Sequence, residues 1–144
     1  MALDRLDCFI CRKHARLEAQ PPGGYLYADD CWRVCHAPTA MSIPGELLIE
    51  SRRHLLDFAG LNDDEAACYG PLLRRLYSAI KQATGAPRVY TLITLEDASH
   101  LHIWLIPRPE DADARGITFL QQDHTCTEAE AVAMAQAIKE AMAL

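Results

Sequence analysis

The segment Ser-His-Leu-His-Ile-Trp-Leu-Ile-Pro-Arg, residues 99–108, constrains the fold more than any other stretch of the chain. Side chains of a strand point alternately to opposite faces. In an extended chain Leu101, Ile103 and Leu105 therefore share one face, and His100, His102 and Trp104 share the other. This predicts a strand over residues 100–106, stopped by Pro107, with Leu101, Ile103 and Leu105 more buried than His102. Residues 88–95 are rich in Val, Tyr, Thr and Ile and read as a second strand. Residues 96–99 read as a short turn that makes the two strands an antiparallel pair.

The remaining chain supplies strands and helices to match. Residues 24–28 and 32–36 read as strands about an Asp29-Asp30 turn, and residues 46–50 as a short strand. Residues 12–23 are polar and run into Pro-Pro-Gly-Gly at residues 21–24, a loop signal, and residues 37–45 carry two prolines and read as another loop. Asn62 followed by Glu65 has the form of a capping box, with Ala66, Tyr69, Leu73, Leu76, Tyr77 and Ile80 on one face of the helix it opens. Gly70-Pro71 predicts a kink or break in that helix, and residues 84–87 end it. Residues 107–126 read as irregular. Thr127 and Glu130 form a second capping box, opening a helix with Ala131, Met134, Ala135, Ile138 and Met142 on its apolar face. Strands, helix, strands, helix, without internal repeat, imply an antiparallel α+β architecture, taken as one domain over residues 1–144.

Charge and cysteine usage narrow the function. A net charge of −6 makes the chain a poor general binder of nucleic acid or anionic membrane, which needs clustered Lys and Arg. A small anion needs only a local positive pocket. The amino terminus shows no leader pattern and no apolar run is long enough to span a bilayer, so the expectation is a cytoplasmic protein in a reducing compartment. Six cysteines are then read as metal ligands, redox groups or small hydrophobes before disulfides.

Cys8 and Cys11 can supply two thiolates to a tetrahedral zinc, which needs four ligands. Without a second Cys-x-x-Cys, the missing ligands would come from His14, His54 and His100. The competing reading is a redox pair, which usually opens a helix after a strand, and nothing before Cys8 can be that strand. His100 and His102 stand about 7 Å apart along a strand and can do separate jobs. Neutral imidazole can attack phosphorus near pH 7 and form a covalent intermediate. The plainer alternative is two surface histidines. Residues 50–54, Glu-Ser-Arg-Arg-His, offer a zinc ligand and an arginine for an anion, or simply an exposed basic turn. No glycine-rich phosphate loop, Gly-x-Ser-x-Gly or His-Glu-x-x-His occurs. Cys35 and Cys68 read as buried small hydrophobes, and Trp32 as core or interface. His36 and His124 carry no usable pattern.

The segment from His100 to Arg108 resembles the signature of the histidine-triad (HIT-like) superfamily, His-x-His-x-His followed by two apolar residues. The order of Cys-x-x-Cys, a Pro-Gly step and strand ending in Arg-His, a central helix and two strands resembles that superfamily as well, over roughly residues 8–108. The resemblance implies an antiparallel sheet of about five strands with a central and a C-terminal helix, commonly paired as a homodimer. It implies a small-molecule nucleotide as ligand, with His102 attacking its α-phosphate. It implies structural zinc on Cys8, Cys11, His54 and His100, with His14 in reserve, and contacts to substrate from Arg108, Ser99 and Trp104. Two departures stand out. Trp104 takes the place of the third histidine, and indole cannot act as acid or base. Glu96 and Asp97 stand where neutral phosphate-contacting groups are usual, and would repel a polyphosphate unless directed outward. Two functions follow: a nucleotide-phosphate hydrolase or nucleotidyl transferase, or a catalytically inactive, zinc-stabilised module that binds nucleotide or a partner.

Overall fold

The sheet is built from Tyr25–Ala28 (β1), Trp32–His36 (β2), Leu47–Ser51 (β3), Arg88–Leu92 (β4) and His102–Arg108 (β5), in a computed structural model that describes residues 6–143. The expectation that the first five residues begin no leader falls outside this range. All neighbours are antiparallel, in the order β1-β2-β3-β5-β4. The helices are Phe9–His14 (α1), Asp63–Thr84 (α2), Ile117–Leu120 (α3) and Glu128–Met142 (α4). The architecture is α+β, as the alternation of elements predicts.

The period-two pattern of β5 is realised. Leu101, Ile103 and Leu105 are fully buried, while His102 retains 7% exposure. With Val34, Leu47 and Ile49 they form the main core beneath Leu72, Leu76 and Ile80 of α2 and Ile138 of α4. The opposite face carries Arg33, Glu50 and His102 in one cross-strand row and Cys35, Leu48 and Trp104 in the next, and of these Arg33 and Trp104 are half-buried and the rest buried. Both capping boxes are formed, and Gly85 closes α2 at φ +72°, a left-handed position that favours glycine.

Several boundaries differ from the sequence expectation. The connection between β4 and β5 is longer than a tight turn, because Leu95 and Glu96 take positive φ (57° and 73°). Residues 100–101 bond elsewhere: Leu101 N–H donates to Leu55 O at 2.7 Å, and Ser51 N–H donates to Leu101 O at 3.1 Å. β5 therefore begins at His102. It also runs through Pro107 to Arg108. The pairing with β3 ends at Leu105, so Pro107 lies where β5 has β4 as its one partner and a missing N–H is tolerated. α2 is not broken at Gly70-Pro71. Both residues are exposed, so the ring meets solvent and α2 loses one hydrogen bond. Its buried stripe is Leu72, Leu76, Ala79 and Ile80; Ala66 is exposed. Residues 12–23 are not all loop, since α1 reaches His14, and α3 interrupts residues 107–126. Cys35 is buried as expected, whereas Cys68 is exposed.

α1 rests on the open face through a buried charge. Glu50 has no exposure. Its carboxylate accepts hydrogen bonds from Lys13 Nζ, from His14 Nε2 at 2.9 Å and from Tyr25 OH at 2.9 Å. Burial alone would raise its pKa. The hydrogen bond from His14 and the charge of Lys13 outweigh burial and bring it down to about 2.

Two substitutions test this packing. Ile103→Ala should cost about 2–5 kcal/mol in denaturant unfolding; a loss below about 1 kcal/mol would place Ile103 outside the core. Lys13→Met should cost about 3–5 kcal/mol by stranding the Glu50 charge, and Lys13→Met with Glu50→Leu should recover most of that loss. A double variant as unstable as the single one would show that Lys13 serves something other than Glu50.

Candidate functional site

Cys8 caps the N-terminus of α1, and its Sγ accepts from Cys11 N–H at 3.4 Å, so the first helical turn brings the two thiols together. His54 follows β3 and His100 precedes β5, and the β3–β5 pairing carries both to the same place. Sγ of Cys8 and Sγ of Cys11 each lie 3.5 Å from His100 Nδ1, and Sγ of Cys11 lies 3.4 Å from His54 Nδ1. All four ligand atoms fall within 4.8 Å of one another. Tetrahedral zinc, with bonds of about 2.3 Å to sulfur and 2.0–2.1 Å to nitrogen, has sulfur–nitrogen edges of about 3.6 Å. The observed separations fit that polyhedron.

The tautomer of His100 fits as well. Its Nε2–H donates to Ser51 O at 2.7 Å, which leaves the Nδ1 lone pair facing the thiols. Burial holds its pKa down to about 4, so the ring is neutral, as a metal ligand must be. His14 lies outside the cluster, bound to Glu50. Cys8-x-x-Cys11 does open a helix, but it faces histidines.

His102 has the reverse tautomer. Its Nδ1–H donates to His100 O at 2.7 Å, so Nε2 carries the lone pair on the open face. Glu50 is its cross-strand partner, and the Trp104 ring stands 6.1 Å away at 69°. The structure thus brings His102 and Trp104 together on one face.

The remaining sequence-derived site residues are placed differently. Ser99 is exposed, and its hydroxyl reaches Glu96 O at 3.5 Å. Glu96 and Asp97 are exposed too. Arg108 is buried, with one N–H on Pro109 O at 3.2 Å and Nε without a partner among the described residues. From His102 to Arg108 the strand rises about 20 Å, too far for both to touch one phosphoryl group. Arg53 is held by Glu65 (2.7 and 2.8 Å) and Arg52 by Asp29 O (2.8 Å), so the anion role read from residues 50–54 has no support in their contacts. Sequence reasoning missed Lys13, Tyr25 and Glu50. Glu50 is followed by Ser51, Arg52 and Arg53 in sequence, and no local signal marks it as buried.

No protein-family model matches the chain, and no curated protein matches it. Solved structures do. A hypothetical histidine triad nucleotide-binding protein from Sulfolobus tokodaii superposes with a TM-score of 0.73 at 18% identity, over 94% of this chain and 92% of that one. A Zn-bound histidine triad family protein from Mycobacterium smegmatis superposes with a TM-score of 0.72 at 15% identity, over 96% and 94%. A Hit-like protein from Bartonella henselae gives 0.73 at 15% identity, over 94% and 96%. At these identities the likeness concerns the backbone, and with the five-stranded order and the two main helices it shows that the chain has the histidine-triad fold.

Proposed function

We propose that the chain is a nucleotide-phosphate hydrolase or nucleotidyl transferase in which His102 is the nucleophile. One observation carries the reading: the bond from Nδ1–H to His100 O leaves the His102 lone pair on Nε2, on the side of the sheet away from the main core. Nε2 attacks the α-phosphorus of a nucleotide ester, anhydride or phosphoramidate. The bond from phosphorus to the departing group breaks with its electron pair, leaving a nucleotidyl-histidine. Water or another acceptor then adds to phosphorus and frees the ring. Backbone N–H groups, and Ser99 after rearrangement of its loop, would balance charge on the phosphoryl oxygens. Trp104 borders the site and cannot transfer a proton. An inactive binding module is the second reading, and Trp104 is the observation that favours it.

Cys8, Cys11, His54 and His100 hold one zinc ion on this reading, as the match of their separations to a tetrahedron supports. Bound there, zinc is structural and cross-links α1 to the segments entering α2 and β5.

Two measurements test these statements. A panel of a diadenosine polyphosphate and a fluorogenic nucleoside phosphoramidate should be turned over by wild type, with His102→Ala slower by at least about a hundredfold. Trp104→His should change the leaving-group preference. Equal turnover by wild type and His102→Ala on every substrate would leave the module. Elemental analysis of protein purified without chelator should find about one zinc per chain, lost in Cys11→Ser. A folded, metal-free wild type would overturn the zinc assignment.

A further inference from the structure

The open face of the sheet is filled at one end and hollow at the other. On the α1 side, Lys13, Cys35 and Glu50 are buried against one another. On the β4 side, a cavity of about 270 Å³ lies between the sheet and residues 120–124. Trp104, Leu92 and Ile106 supply it from the sheet, Met41 from the loop before β3, and Glu46 and Asp123 bring carboxyl groups. Among the described residues no lysine or arginine lines it.

Glu46 makes this cavity more than an apolar hollow. It is 4% exposed. One of its oxygens accepts from Ile43 N–H at 3.1 Å, and among the described residues no other hydrogen bond or ion pair reaches the carboxyl. Burial raises its pKa to about 7, offset only by that backbone N–H, so no basic side chain neutralises it. His124, also at the wall, is packed on Phe119 at 4.7 Å between ring centres and directs Nε2 to Phe119 O at 3.4 Å. A buried carboxyl without a partner is costly. An indole beside it offers a cation a second attraction. Phosphate would meet two carboxyl groups and, among the described residues, no lysine or arginine.

We infer that this cavity binds an ammonium-bearing organic group, carried by the substrate of His102 at the end remote from the phosphoryl group. The sheet register sets the spacing. Glu50 stands opposite His102, and Glu46 lies four residues back along the chain from Glu50, about 13 Å away. A volume of about 270 Å³ is small for a whole ligand and suits one end of a longer molecule. The placement on a substrate rests on the phosphoryl-transfer reading above; the preference for a cation rests on the cavity alone.

The test uses the whole chain and three small probes of one shape: butylammonium, 1-butanol and butyrate. Binding is followed by the indole N–H resonance of Trp104, assigned by its loss in Trp104→Phe. Butylammonium should bind at least about tenfold more tightly than the alcohol or the acid. Glu46→Gln should reduce that preference to about twofold or less. Should Glu46→Gln fail to fold, the three probes on wild type decide alone. Equal binding of the alcohol, stronger binding of butyrate, or no shift of the Trp104 resonance would overturn the inference. His102→Ala should keep the ammonium preference. A preference kept in a chain that turns over no nucleotide would remove the reaction and leave the cation site. Turnover by His102 without that preference would remove the cation site and leave the reaction.

Discussion

A carboxylate with no exposure to water has to be met by donors, and Glu50 draws them from elements on either side of it. Lys13 and His14 come from α1, and Tyr25 comes from β1. The short α1 has too few turns to be stable alone. Its attachment to β3 is therefore a matter of charge and hydrogen bonding more than of helical propensity. The thiols of Cys8 and Cys11 sit on the same helix, so their approach to His54 and His100 follows from where Glu50 holds α1. Burying such a pair is costly unless every lone pair is used. Here Lys13, His14 and Tyr25, with the Cys35 thiol at 3.8 Å, converge on one carboxylate, and they lower its pKa against the effect of burial.

The two histidines of β5 and its approach differ through their backbone partners. His100 spends its Nε2 proton on Ser51 O and turns Nδ1 to the thiols. His102 spends its Nδ1 proton on the carbonyl of His100 and keeps Nε2 free for the open face. One peptide unit thus joins the cluster to His102. A change that moves His100 against Ser51 also moves the acceptor that fixes the tautomer of His102. Residues 100–101 leave the β4 pairing and bond to residues 51–55, which makes this relay possible and also shortens β5 at its start.

Patterns with a local cause were legible in the sequence. The alternation over residues 99–108 placed the core face of β5, and Asn62 with Glu65 and Thr127 with Glu130 placed both helix starts. The four cluster residues were legible only with the help of the family resemblance, because spacing alone leaves His14 equal to His54. What stayed hidden depends on contacts distant in sequence. Pro107 reads as a stop, yet β3 has already ended its pairing beside it. Pro71 reads as a break, yet it faces water. Glu50 reads as the polar end of a short strand, and only the docking of α1 buries it. Cys68 reads as apolar filling, yet it is exposed although it stands one turn from Leu72 on α2.

Trp104 sits where these two halves of the open face meet. Toward α1 the face is charged and closed, and toward β4 it is open and lined by carboxyl groups and apolar side chains. A histidine at this position would add a third imidazole beside His102 and leave more of the hollow empty. The indole instead cannot transfer a proton, and it extends the wall of the cavity from Leu92 and Ile106 up to His102. The tautomer of His102 is set from behind, by the backbone of His100, and owes nothing to that neighbour. The indole therefore shapes the space beside His102, and leaves the orientation of that ring's lone pair as the strand and the His100 carbonyl determine it.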